Sequence, residues 1–250
     1  MLHVAAKLAL APLLYLQAGQ LKRTTLELPE PQGERSGTAG AGEPRLRLLV
    51  AGDSSAAGVG ARTQDEALAL PLARRLAQRL DGSVRWQLIA ESGLTSEGVL
   101  HKLMHGPVQP AEVAVVICGV NDIAKEQAFS FALRKRRQIA EWLRAQAGVQ
   151  QVLFAALPEM ELFPAIPQPL AWYAGQAARR NNRLQQRWAS DFGFIRHVTM
   201  DGLAHPRLFS EDGFHPGPAL YARVAERLTE VIAGEVLLPI GRQRQSEEPT

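Results

Sequence analysis

The chain has 250 residues and one cysteine, Cys118. A single thiol excludes an intramolecular disulfide framework and a multi-cysteine zinc site. At the end of the apolar run VAVVIC it reads as a small buried hydrophobe. Excess charge is equally scarce: 28 Lys and Arg against 25 Asp and Glu leave a formal charge of +3, too little to suggest a nucleic-acid partner. The densest basic run, Arg134, Lys135, Arg136 and Arg137, sits in the helical pattern FALRKRRQIAEWLR. Phe131, Ile139, Trp142 and Leu143 form its expected buried side. With no aromatic platform beside it, the run reads as a solvated face.

Cofactor signatures are missing as well. The glycines at 52, 58 and 60 do not fit GxGxxG, and no Gly-Lys-Ser/Thr follows them. His101 and His105 in HKLMH have the i, i+4 spacing of a zinc helix. Lys102 replaces the glutamate of HExxH, and its charge opposes a dication. No metal or cofactor is expected.

Long apolar runs are absent too. The N-terminal stretch MLHVAAKLALAPLLYLQA is interrupted by Lys7 and Pro12, short of the roughly 20 apolar residues of a spanning helix. Residues 1–28 therefore read as one of three things: a cleaved signal, a membrane-associated helix or a helix packed on the domain. The first two imply a cell-envelope or peripheral membrane location, the third a cytoplasmic one. Residues 29–44, PEPQGERSGTAGAGEP, read as a flexible linker. Residues 235–250 form an expected tail.

Between these ends, 45–234 reads as one domain, with 46% hydrophobic residues overall for a sizeable core. Apolar segments near 46–51, 84–90, 113–118, 151–156 and 193–199 predict strands. Helical periodicity covers 64–80, 95–105, 129–147, 170–190 and 217–233. Continuous apolar strands alternating with helices imply an α/β fold with a mostly parallel five-stranded sheet between two helix layers. In such sheets ligands bind beyond the carboxyl ends of the strands.

Four segments at those ends carry chemistry: Gly52-Asp53-Ser54, Glu91-Ser92-Gly93, Gly119-Val120-Asn121-Asp122 and Asp212-Gly213-Phe214-His215. A serine hydroxyl needs a base to become a nucleophile, and histidine suits that task. Asp212, three residues before His215, can fix the imidazole tautomer and stabilise the imidazolium. The oxyanion of a tetrahedral intermediate needs aimed donors. The amides of Gly93 and Ser54 and the carboxamide of Asn121 can provide them. Asp53 reads as a brace for the serine turn and Asp122 as structural. Asp201 and His205 form a rival acid–base pair, and His197 on a strand reads as a satisfied core or edge histidine.

These four blocks, GDSSAAG, ESG, GVND and DGFH, resemble those of the SGNH hydrolases, the GDSL esterase/lipase superfamily, over roughly residues 45–234. The second block departs from the family, which often has asparagine where this chain has Ser92. The resemblance implies a flavodoxin-like three-layer α/β/α sandwich. It implies Ser54 as nucleophile, His215 as base, Asp212 as its partner, and Gly93 and Asn121 as oxyanion donors. It further implies ester hydrolysis without a cofactor, on a small-molecule or lipid ester. The loop LPEMELFPAIPQPL suggests an acyl groove lined by Met160, Leu162, Phe163 and Ile166. The substrate expectation is therefore a carboxylesterase or lysophospholipase-like activity, with a carbohydrate O-deacetylase as the enzymatic alternative. A membrane-associated binding domain with a dead site is the non-enzymatic alternative. Oligomeric state is left open.

Overall fold

The computed structural model describes residues 2–237, with side chains from 10 to 234. Among these residues, six strands form one sheet: β1 (Ser36–Ala39), β2 (Pro44–Gly52), β3 (Ser83–Ala90), β4 (Val113–Ile117), β5 (Gln151–Ala155) and β6 (Ile195–Val198). Their order is β1-β3-β2-β4-β5-β6. All neighbours are parallel except β1, which runs antiparallel along the edge of β3.

Both faces of the central strands are covered, and the period-2 alternation of strand side chains divides the core in two. Leu48, Val50, Val113, Val115 and Leu153 point to one side. Leu49, Ala51, Ala114, Val116, Val152 and Phe154 point to the other. The α-helices among the described residues are α1 (Leu2–Thr24), α2 (Ser54–Ala57), α3 (Ala69–Arg79), α4 (Ser96–His105), α5 (Val120–Ala124), α6 (Phe129–Ala147), α7 (Leu170–Ser190) and α8 (Pro218–Val231). Helix α3 buries Ala69, Leu72, Ala73, Leu76 and Ala77, one stripe at helical spacing, on the first side together with α8. Helices α4 and α6 cover the second side. The architecture is the expected three-layer sandwich, with one strand more than expected.

The additional strand corrects the reading of 29–44 as a flexible linker. Residues 36–39 pair with β3, and Gln32 bridges Thr63. Pro31 and Ala39 are buried. The apolar signal is missing because three of the four β1 residues are exposed, so this edge is held by backbone pairing rather than by side-chain burial. At the other end, a π-helical turn over Ile232–Leu237 extends α8. The expected tail otherwise lies outside the described residues.

The two halves of the chain are tied by Tyr221 of α8. It is buried, and its hydroxyl donates to the Val59 carbonyl at 2.6 Å, five residues after Ser54. Tyr221→Phe should strand that buried carbonyl and cost about 1–3 kcal/mol. A urea midpoint unchanged from wild type would show that the bond contributes nothing to stability.

Candidate active site

Strand β2 ends at Gly52, where a Cβ would run into the Ile117 carbonyl of β4. Only glycine permits this approach, which lets the Asp53 amide donate to the same carbonyl at 3.0 Å. Buried Asp53 then caps α2, its Oδ1 accepting the Ser55 amide at 3.0 Å. Burial pushes its carboxyl up to about 7, against the opposing pull of that amide. The result is a half-buried Ser54 presented at the carboxyl end of the central strand.

The last block folds as a turn around one carboxylate. Asp212 Oδ1 accepts the amides of Phe214 at 2.8 Å and His215 at 2.9 Å, and the Ser210 hydroxyl at 2.7 Å. The three-residue spacing of Asp212 and His215 is what this turn requires. The other oxygen, Oδ2, meets His215 Nδ1 at 2.6 Å. Burial alone would raise the Asp212 carboxyl. The bonds from His215, Phe214 and Ser210 outweigh it and hold the group below its ordinary value. An ionised Asp212 makes Nδ1 the protonated ring nitrogen. Nε2 is left to accept the Ser54 hydroxyl, 2.9 Å away. Ser54, His215 and Asp212 thus form a continuous relay across 161 residues of sequence.

Asn121 lies beside this relay, one carboxamide hydrogen donated to the Leu94 carbonyl at 3.0 Å. Its second hydrogen is available to a ligand. Gly93 precedes Leu94 in the exposed turn after β3, with φ +79°. Ser92 is bound by Glu30, whose Oε1 accepts both its amide, at 2.7 Å, and its hydroxyl, at 3.0 Å. Arg35 joins Glu30 to the Ala90 carbonyl with bonds of 2.8 and 2.5 Å. The segment expected to be a linker therefore clamps the turn that carries Gly93.

Ser54, Ser55 and Asn121 open on a cavity of ≈ 50 Å³ walled by Val120, Pro158, Phe163, Phe209, Phe214 and Leu220. The expected acyl groove is corrected here. Of its four residues only Phe163 lines the cavity. Met160 and Ile166 are buried in the apolar cluster behind it, and Leu162 is half-buried off the wall. Phe209 and Phe214, which pack against Phe163 at 4.8 and 5.3 Å between ring centroids, take their place. The rival acid–base pair does not assemble. The His205 ring nitrogen accepts the Arg207 amide at 3.2 Å at the start of a 3-10 turn, and both His205 and Asp201 are exposed.

A sequence model of the GDSL-like Lipase/Acylhydrolase family matches residues 50–223. The chain belongs to this family. A curated relative, the GDSL-like esterase Rv1075c of Mycobacterium tuberculosis, is 29% identical over 194 residues. That match covers 73% of this chain and 60% of the relative, so the chain spans less than two thirds of that protein. Among solved structures, the lipase Lip_vut3 from a goat rumen metagenome superposes with a TM-score of 0.60 at 22% identity. It covers 76% of this chain and 98% of its own. A carbohydrate acetylesterase family member from Sinorhizobium meliloti gives a TM-score of 0.53 at 16% identity, covering 74% and 96%.

One feature of this GDSL-family chain escaped its sequence pattern. Arg136, in the run expected to be solvated, is 1% exposed. Its Nη2 meets Asp122 Oδ2 at 3.3 Å, its Nε donates to Ser96 Oγ at 3.1 Å, and its Nη1 donates to Gln185 Oε1. Asp122 also accepts the Ser96 amide at 2.9 Å and its hydroxyl at 2.5 Å. Because Gln185 accepts from Arg136, its Nε2 must donate to His197 Nδ1, 2.8 Å away, so that this nitrogen is unprotonated. Burial lowers the His197 value further, with Arg136 acting in the same direction against Asp201. Cys118 lies in the same network, 3.5 Å from Ser96 Oγ, and burial pushes its thiol up to about 11. Gly119 is the enabling residue: it has φ +127°, and a Cβ there would collide with the Arg136 guanidinium.

Arg136→Met should leave Asp122 buried without its counter-charge. Breaking one partner of a buried pair costs about 3–5 kcal/mol, to be read as a lowered urea midpoint with little change in slope. An unaltered midpoint would refute the pair as a structural pin.

Proposed function

We propose that the chain is a serine esterase that cleaves short-chain carboxylic esters through an acyl-serine intermediate. The observation that carries this reading is the Ser54–His215–Asp212 relay opening on a small, apolar-walled cavity. In this mechanism His215 Nε2 takes the Ser54 proton as Oγ attacks the ester carbonyl. Asp212 stabilises the imidazolium that forms. The Asn121 carboxamide, with the amides of Ser54 and Gly93, meets the negative charge on the carbonyl oxygen. His215 then passes its proton to the departing alkoxide, and water reverses the steps to release the acid.

Cavity size supports the acyl length. A water needs about 10–15 Å³ on the same measure, so ≈ 50 Å³ takes an acyl group of a few heavy atoms. This narrows the carboxylesterase reading and disfavours a long lysophospholipid chain bound inside. A carbohydrate O-deacetylase is the second reading, since an acetyl group fits the cavity equally well. In that reading the sugar is the alcohol and lies outside the cavity, so the two readings differ beyond Ser54 and Asn121 rather than in the acyl pocket.

Ser54→Ala should abolish hydrolysis of aryl esters and labelling by a fluorophosphonate, with a loss of about 10⁶ in kcat as for other triad serines. His205→Ala should be nearly silent. Full turnover by Ser54→Ala would overturn the mechanism, and labelling of no residue in wild type would favour a dead site. A panel from acetyl to octanoyl aryl esters, with acetylated sugars alongside, should peak at the short aryl esters. A peak at sugar acetates would select the deacetylase.

Asn121→Ala removes one donor from the charge that develops in the transition state. It should lower kcat about 10²–10³-fold with KM little changed. A raised KM at unchanged kcat would reassign Asn121 to substrate binding.

A further inference from the structure

Among the described residues, exposed apolar surface is concentrated at one place. Of the five large hydrophobic side chains that stand exposed among the described residues, four (Leu13, Tyr15, Leu16 and Leu26) lie in or just after α1. The helix is not loose. Leu14 is buried, and Leu21 packs on the apolar cluster shared by Phe163, Phe209 and Phe214. The Gln17 carboxamide donates to the Gln168 carbonyl at 2.7 Å and accepts the Leu170 amide at 3.1 Å. At about 3.6 residues per turn, Leu14, Gln17 and Leu21 share one stripe. Pro12, Tyr15, Leu16, Lys22 and Arg23 share the opposite one. All five are exposed, Tyr15 by 82% and Leu16 by 64%.

We infer that this outer stripe docks the protein on an anionic lipid surface. Two properties select that partner. The stripe joins an apolar patch to two cations about two turns further on, so apolar burial and attraction to anionic lipid would act on the same side of the helix. The α1 sequence also contains no aspartate or glutamate, so a second copy of the helix would bring no counter-charge to Lys22 and Arg23. Lipid phosphates would. Among the described residues no helix is long and apolar enough to cross a membrane, so α1 lies in the plane of the interface, with the Tyr15 phenol at headgroup level.

The test is flotation of the full chain with phosphatidylcholine vesicles, with and without phosphatidylglycerol, at low and high salt. Wild type should float with the anionic vesicles at low salt and be released by high salt. Lys22→Gln with Arg23→Gln should weaken binding roughly twenty-five-fold, taking about fivefold per basic residue at an anionic surface. Tyr15→Ser with Leu16→Ser should abolish it. Thermal unfolding at the wild-type temperature verifies that both double variants fold. Failure of wild type to float, or flotation of both variants as well as wild type, would overturn the inference. Loss of a dimer in Tyr15→Ser with Leu16→Ser, without any vesicle binding by wild type, would assign the stripe to a second copy instead. None of these readouts uses ester turnover, so this inference and the esterase reading can fail separately.

Discussion

A guanidinium sealed from water beneath the edge of the sheet fixes the surroundings of the serine. Arg136 reaches from α6 to Ser96 at the start of α4, Asp122 in α5 and Gln185 in α7. Removing both charges from water costs several kcal/mol per ion. That cost is offset only because these contacts give each guanidinium nitrogen and both carboxylate oxygens a partner at once. The network therefore tolerates little displacement of the helices that share it. Asn121 adjoins Asp122 in the chain and bonds the turn before Ser96. On the esterase reading this carboxamide must already point at the developing charge, and the ion pair under it supplies that rigidity. The glycine of GVND follows from the same constraint, since any side chain at 119 would occupy the place of the guanidinium.

The relay is assembled from opposite ends of the domain. Ser54 follows the central strand β2, whereas Asp212 and His215 precede α8, which packs on the face of the sheet that also carries α3. Tyr221, bonded back to Val59, closes that distance from the side of α8. Local turns then do the fine placement. The Asx turn around Asp212 sets its own carboxylate against Nδ1, and the Asp53 cap sets the serine. Asp53 itself adjoins Ser54, where the esterase reading places developing negative charge. Desolvation keeps its carboxyl partly protonated near neutrality, which limits the repulsion a buried carboxylate would exert there.

Much of this was legible in the chain. The five parallel strands and the helices over 129–147 and 170–190 announce themselves because they are buried on one side or both, and burial writes periodicity into sequence. The relay was legible because each of its members sits at a strand end or in a turn of fixed spacing. Strand β1 was not, since an exposed edge strand of SGTA has no apolar alternation to read. Arg136 was hidden inside RKRR, three of whose side chains are not buried. The clue lay in spacing: Ala132, Arg136, Ile139 and Leu143 follow i, i+4, i+7, i+11, which puts the arginine on the apolar stripe. Met160 and Ile166 misled for the converse reason. Apolar residues in a loop beside a site are drawn into the core as readily as toward a ligand, and sequence does not separate the two.

The cavity has one further consequence. At ≈ 50 Å³ it is small beside an ester with groups on both sides of the bond. On the proposed esterase reading the acid portion occupies it, and the alcohol projects outward past Ser54 and Asn121. Discrimination is then lopsided: each added methylene on the acid meets the aromatic wall, whereas the alcohol is judged mainly by how readily it departs. On the same reading its departure also clears the approach by which water reaches the acyl-serine, so the narrowness that restricts the acid opens the way to hydrolysis.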